Sequence, residues 1–307
     1  MYDFILQVTN IDKQFPGVHA LKDVSFSVLR GEVHGLIGEN GAGKSTLIKS
    51  ITGAYSYDSG SIIFIDETGT QFKIHNPSDA KAAGIAAAYQ DLLAAPELTV
   101  GENFFLGRIP KTSLGAVDWS YIYQYSSKIL REYGISVDPR KKMRQLTVSQ
   151  QMMVTIAKLS SEHAKLIIFD EPTALLPNQE VQTFYKILRK LRANGVSMIY
   201  VSHRLEEILE VCDRVTVLKD GAIVGTKETS SVTEGMLISM MVGRSMSDIY
   251  QINKGVPGAE VLRVEHLTRK NSFSDISFSL HKGEVLGFFG LIGSGRTEVM
   301  RCLYGAD

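Results

Sequence analysis

The sequence predicts an α/β chain: a largely parallel core with an antiparallel β portion at its start and a helical insert in the middle. Three observations carry this. The short apolar runs "KLIIFDE", "SMIYVSH" and "RVTVLKDG" have the length and the Ile, Val and Leu content of strands buried on both faces. A helical stretch, "QEVQTFYKILRKLRANG", separates the first two and closes on Gly195 in the manner of a C-cap, the alternation that a parallel sheet requires. In "GLIGENGAGKSTL" a glycine-rich loop stands between a strand and a helix.

The elements follow in order along the chain. "FILQVTNI" and "VSFSVLRGEV" alternate like paired strands, with Val24, Phe26 and Val28 on one face. "SGSIIFID", Ser59 to Asp66, reads as a further strand after a turn. From Ser78 to about Ser161 the pattern becomes helical and loop-rich. Ser78 is a plausible N-cap for a helix over "DAKAAGIAAAY", and "SYIYQYSSKILREYGI" and "SQQMMVTIAKLS" space apolar residues by three and four. Around "SMSDIYQINKGVPGAE" the apolar pattern lapses, and Gly255, Pro257 and Gly258 mark a linker. The expected layout is a first domain over 1–245 with its helical insert at about 91–160, a linker over 246–260, and a shorter segment over 261–307.

In that last segment the sequence begins again. "DVSFSVLRGEVHGLIGENGAGKST" from Asp23 and "DISFSLHKGEVLGFFGLIGSGRTE" from Asp275 align without a gap. Gly31, Gly35, Gly38, Gly41 and Gly43 recur as Gly283, Gly287, Gly290, Gly293 and Gly295, a coincidence that indicates internal duplication. The second copy is expected to be the truncated start of another such domain.

Composition narrows the function. Apolar residues make up 44% of the 307 and charged residues 21%, an ordinary balance for a globular protein. Lys plus Arg equals Asp plus Glu at 33 each, so nothing points to a nucleic-acid partner. No apolar run approaches the roughly 18 residues of a membrane span. The opening "MYDFILQVTN" lacks the basic and small-residue features of a signal peptide. Cys212 and Cys302 stand far apart without metal or redox spacing, which fits small buried hydrophobes in a reducing cytoplasm.

"GENGAGKS", Gly38 to Ser45, fits the pattern G-x-x-x-x-G-K-[ST]. Gly38, Glu39, Asn40, Gly41, Ala42 and Gly43 would curl their N–H groups around phosphate oxygens at a helix N-terminus, with Thr46 on its first turn. Lys44 would reach the terminal phosphates, and the Ser45 hydroxyl would ligate Mg²⁺. A Gly-rich turn serving only tight strand-to-helix packing is the other reading. "LIIFDEPTA" ends an apolar strand on two acids: Asp170 suits Mg²⁺ held through water, and Glu171 suits a general base for an attacking water.

With these motifs the whole chain resembles the nucleotide-binding subunits of ABC transporters, which implies an ABC-type P-loop NTPase fold using ATP and Mg²⁺. Carried onto this sequence, the resemblance makes Phe15 in "KQFPGVHAL" the aromatic that stacks on adenine, although a core phenylalanine would look the same. It makes Gln90 in "AAAYQDLLAAPELTVGENFFLG" the glutamine that senses Mg²⁺ and the membrane partner. His203 in "IYVSHRLEEI" becomes the histidine on the γ-phosphate, where an isolated histidine would otherwise be structural. The family's L-S-G-G-Q signature reads Leu146, Thr147, Val148, Ser149 and Gln150, with both glycines replaced. The loop after the acids, usually S-A-L-D, reads Ala174, Leu175, Leu176 and Pro177.

"PELTVGENFFLGR", "SHRLEEILEVCDRVTVLKDG", "MMVGR" and "GLIGSGRTE" are similar to the monosaccharide-importer branch of that family, the ribose, galactose, arabinose and xylose group. In the second loop, Gly290, Gly295, Arg296 and Thr297 mirror the first, with arginine replacing lysine; this bulkier fork implies a degenerate nucleotide site. The resemblance implies an ATP-hydrolysing subunit at the cytoplasmic face of the membrane, paired with a second nucleotide-binding domain. It further implies contact with permease subunits through the helical insert and, indirectly, with a periplasmic sugar-binding protein. The chain by itself is expected to bind MgATP and to turn it over slowly or not at all. Two alternatives are a soluble tandem ABC ATPase acting on ribosomes or DNA, and a regulatory nucleotide-binding module without turnover. The short neutral linker and single P-loop lysine argue against the first; Glu171 with His203 argue against the second, while the altered signature and the truncated second copy argue for it.

Overall fold

In the computed structural model, which describes residues 4–89, 94–162, 164–174, 176–243, 257–290 and 293–306, the chain divides into two units, Met1–Met246 and Ser247–Asp307. The first unit opens with β1 (Phe4–Phe15) and β2 (Val18–Leu29), then crosses to β3 (Val33–Ile37), which leads into α1 (Lys44–Ile51). β4 (Ser59–Ile65) and β5 (Gln71–Lys73) return to β1, giving an antiparallel sheet in the order β2-β1-β4-β5. Its alternation buries Leu6, Val8, Val24, Val28 and Phe64 against Leu47, Ile48 and Ile51 of α1.

The parallel core is completed by β6 (Ile85–Ala88), β7 (Leu166–Asp170), β8 (Ser197–Val201) and β9 (Arg214–Lys219), with β10 (Ala222–Glu228) on one edge. The order is β10-β9-β3-β8-β7-β6, and every pair is parallel except β9 with β10. All residues of β3 and β8 are buried, as strands covered on both faces must be. A polar clamp secures β3 within this apolar setting. The wholly buried His34 bonds Glu32 Oε1 and Thr216 Oγ1 on β9, each at 2.7 Å. Burial pushes the Glu32 carboxyl up. The hydrogen bond and charge of His34, with help from the Leu29 N–H and Arg214, outweigh that and hold it below its ordinary value.

Between β6 and β7 lies the helical insert: α3 (Val100–Phe104), α4 (Trp119–Glu132) and α5 (Val148–Ser161). α6 (Asn178–Ala193) follows β7 and ends at Asn194, with Gly195 just beyond it at φ 80°. α7 (Leu205–Val211) follows β8, and α8 (Glu234–Val242) follows β10.

One expected helix is divided. Instead of one helix from Ser78 through Tyr89, α2 spans Pro77–Ala83, capped by Asn76 and not by Ser78. The Asn76 side chain accepts from Asp79 N at 3.0 Å, and Pro77 takes the first helical position, where its missing N–H costs nothing. Gly84 then ends the helix, and "IAAA" becomes β6 in parallel register with β7. Alanine's helical preference yields here to a ladder of hydrogen bonds that a buried segment beside β7 must make.

The second unit holds β11 (Glu260–Arg269), β12 (Phe273–His281) and α9 (Arg296–Tyr304). β11 and β12 pair antiparallel and reproduce an irregularity of β1 and β2. Asn10 sits at φ 48° and its N–H bonds Ser25 Oγ at 2.8 Å; His266 sits at φ 52° and its N–H bonds Ser277 Oγ at 2.9 Å. Asn10 also bonds Asp23, as His266 bonds Asp275, each at 2.5 Å. The duplication therefore extends to a β-bulge. It lapses at the next element, before resuming at α9: Val285 to Phe289 align with β3 but form no strand, and Val285 and Phe289 are 92% and 99% exposed. β3 lies between β8 and β9, whereas the described residues of the second unit supply no such neighbours for its counterpart. Cys212 is buried and Cys302 half-buried.

Hydrogen exchange resolved by residue checks this contrast: amides of Val33 to Ile37 exchange slowly, and those of Val285 to Phe289 exchange at nearly unprotected rates.

Candidate functional site

The loop after β3 has to pass close beneath β9. A Cβ on Gly38 would lie 2.2 Å from the Leu218 carbonyl oxygen, so only glycine fits. At the far end Gly43 adopts φ 104°, where a Cβ would also meet Ala20 O at 2.5 Å. Gly43 is the N-cap of α1 and offers no side chain, so the first N–H groups of the helix keep their donor capacity for an anion. The hairpin between β9 and β10 buttresses this loop: Gly221 N donates to Ala42 O at 3.1 Å, and Lys22 N to Gly221 O at 2.7 Å.

Lys44 opens α1 and is 8% exposed. Its ammonium donates to Gly38 O at 2.7 Å and Glu39 O at 3.0 Å, which fixes the charge inside the curl of the loop. Burial pushes the Lys44 ammonium below its ordinary value, while the charges of Glu171 and Asp170 pull it back up. Asp170, the last residue of β7, is raised by burial and then by the neighbouring Glu171 carboxylate. Glu171 sits at φ 50°, in the left-handed region that a glutamate seldom enters. Its N–H donates to Val201 O at 2.9 Å, and its Oε1 lies 3.2 Å from His203 Nδ1.

A cleft of about 880 Å³ runs past these groups and is lined by Phe15, Lys44, Ser45, Thr46, Asp170 and Glu171. Phe15 is half-buried at the end of β1 and lies outside the apolar clusters, so the core reading of this residue fails. Its ring meets Tyr55 edge-on at 5.6 Å, with Lys13 Nζ 5.3 Å from its centroid. Glu171 also faces a neighbouring cleft of about 570 Å³, lined by Gly38, Glu39, Asn40, His203 and Met241. The first cleft further includes His19, Asp220 and Gly221, which the sequence reading passed over. "KDGA" is legible as a hairpin turn, but nothing local shows that it folds back over the glycine-rich loop.

Other expected residues lie elsewhere. Gln90 falls outside the described residues. Leu146 to Gln150 do not line the Lys44 cleft; Thr147 caps α5, and Val148 to Gln150 form its first turn. There the Thr147 hydroxyl accepts from Gln150 N at 3.2 Å, and Gln150 Oε1 accepts from Thr147 N at 3.1 Å, a capping box. Ser149 is buried and Val148 is 46% exposed, so the altered signature presents an isopropyl group where its pattern has glycine. In the second unit Gly295 takes φ 87° before Arg296 and α9, as Gly43 does before Lys44. A Cβ at Gly290 would lie 2.6 Å from Ser294 Oγ, and Thr297 is exposed.

Residues 21–174 match the ABC transporter family profile. The chain belongs to the ABC transporter family. It is 46% identical over 305 residues to a ribose import ATP-binding protein of Streptomyces avermitilis, covering 99% of this chain and 58% of that protein. It is 44% identical over 314 residues to a xylose import ATP-binding protein of Geobacillus kaustophilus, covering 100% of this chain and 62% of that protein. The chain thus spans about three-fifths of the length of these curated relatives. Among solved structures, an ATP-binding cassette of an ABC transporter in its ADP conformation superposes with a TM-score of 0.67 at 27% identity, over 78% of this chain and 99% of the other. The expected α/β fold of an ABC cassette is the fold observed.

Two substitutions test the site's construction. In this cassette Gly38→Ala drives a methyl group into a backbone carbonyl, and a urea melt should show a loss of about 1–3 kcal/mol, the usual cost of overpacking. Asp170 binds its proton more tightly folded than unfolded, so its contribution to stability falls as pH rises past the ordinary carboxylate value and on through the raised one. That cost persists at neutral pH. Asp170→Asn removes it, and Tm without nucleotide should rise at pH 7 and converge with that of the unsubstituted protein in acid.

Proposed function

We propose that this cassette binds ATP and hydrolyses it to drive import of a simple sugar through a membrane permease. One observation carries the reading: a buried lysine, a helix N-terminus and an adjacent pair of carboxylates converge on one cleft. The relatives named for ribose and xylose import support the sugar-import part.

The residues divide the work. Phe15, in the lining of the cleft, supplies a face for the base, and loop N–H groups up to Gly43 surround the phosphate chain. Lys44 has carbonyl acceptors for two of its three N–H groups among the described residues, and the third is available for a terminal phosphate oxygen. Glu171 accepts the proton of the attacking water, and His203, 3.2 Å away, orients that carboxylate and faces the γ-phosphate. The oxygen donors of Ser45 and Asp170 suit a hard divalent cation. The burial and like charge that raise Asp170 are what such a cation relieves. Mg²⁺ held there would neutralise charge on the transferring phosphoryl group.

No helix among the described residues is long and apolar enough to cross a membrane. The helical insert of α3 to α5 is the proposed permease contact, with a sugar-binding protein acting on the far side of that permease. The capping turn from Leu146 to Gln150 is the proposed surface for pairing with another nucleotide-binding domain.

Lys44→Ala should weaken ATP affinity roughly 10- to 100-fold, the worth of a charge-assisted hydrogen bond. Glu171→Gln should leave affinity nearly unchanged and slow phosphate release by about 10²- to 10⁴-fold. Unaltered affinity in the first variant would refute nucleotide binding at this cleft; equal release rates in the second would favour a binding module without turnover.

A further inference from the structure

A buried carboxylate outside the two clefts is bonded to the chain segments that carry Glu171 and His203. Glu207, on α7, is 5% exposed and collects donors from three segments. Thr173 Oγ1 lies 2.7 Å from each of its oxygens. Tyr200 OH donates to Oε2 at 2.8 Å, and Ser202 Oγ at 3.0 Å. Arg204 reaches Oε1 at 3.4 Å. Thr173, Tyr200 and Ser202 are themselves buried. A buried ion is tolerable only with such a full set of partners, so the cluster has a high cost of rearrangement.

The placement of those donors is the informative part. Thr173 stands two residues beyond Glu171, whose backbone is held at φ 50°. Ser202 immediately precedes His203, and its hydroxyl also accepts from Arg204 N at 3.0 Å, bracketing the histidine. Tyr200 lies on β8 below them, its phenol pushed far up by burial and by the Glu207 charge, so it remains a donor. One carboxylate thus ties together the two chain segments that present Glu171 and His203 to each other.

We propose that Glu207 is a positioning residue that sets the separation and orientation of Glu171 and His203. Its catalytic consequence rests on the water-activating reading of Glu171 given above; the positioning itself does not. Glu207→Gln keeps the shape of the side chain but puts an NH₂ where an acceptor stood: at Oε1 it opposes the Arg204 guanidinium, and at Oε2 it takes the acceptor from both Tyr200 and Ser202. Thr173→Val removes one donor and leaves the carboxylate, as a second variant should the first fold poorly. Ile208→Val, on the same helix and fully buried, is the control for loosened packing of α7.

The test uses the ¹⁵N-labelled chain, with the ring nitrogens of His203 assigned by their loss in His203→Gln. Glu207→Gln and Thr173→Val should each shift those ring signals, while ATP affinity stays near that of the unsubstituted protein and turnover falls about 10- to 100-fold, as for a misplaced catalytic group. Ile208→Val should lower Tm without moving the ring signals. Unmoved His203 signals in both Glu207→Gln and Thr173→Val would overturn the proposal, as would an equal shift in Ile208→Val. Failure of the unsubstituted chain to bind ATP would count against the preceding reading, and the ring signals would still decide this one.

Discussion

Parallel pairing of β7, β8, β3 and β9 is the constraint on which the site depends. Strands that run the same way end on the same edge, so the residues just past each end meet there whatever their separation in the chain. Gly38 follows β3, Asp170 closes β7, His203 follows β8 and Asp220 follows β9. The close approach of the Leu218 carbonyl to Gly38 expresses the same geometry at atomic scale: β9 is near enough to the loop that no side chain fits between them. The His34 clamp to Thr216 holds β3 and β9 in that register from within the core.

The groups gathered on this edge are not at ease. Lys44 and Asp170 are both displaced by burial toward their neutral forms, and Glu171 occupies a backbone region that suits glycine better. A fold optimised only for stability would avoid each of these. Their coincidence in one cleft is a stability cost concentrated where anionic and cationic ligands can offset it. Glu207 shows the complementary case, a buried carboxylate whose hydrogen-bond partners are in place.

The second unit separates local from non-local sources of structure. Its hairpin and bulge repeat those of the first unit because they need only residues nearby in sequence: a polar residue at positive φ, an aspartate and a serine. The glycine at the start of α9 repeats for the same reason. The β3-like segment does not form its strand, because a central parallel strand is made by neighbours that arrive from elsewhere in the chain.

Much of the fold was therefore legible in the sequence. The buried strand runs, the glycine-rich loop before a helix, the acids closing β7 and the duplication all follow from local pattern, since burial on both faces and a phosphate-sized turn each demand particular residue types over a few positions. The division of the Pro77 to Tyr89 stretch was not legible, because Ala-rich "IAAA" becomes a strand only when β7 lies beside it. Nor were the half-buried setting of Phe15, the cover of the Asp220 turn over the loop, or the Glu207 cluster, each of which joins segments remote in the chain. Sequence alone determined which chemistry the chain carries, through residue types at short spacings. Tertiary structure decided which of those residues meet, because burial, pKa displacement and the pairing of Glu171 with His203 arise only when distant strand ends share one edge.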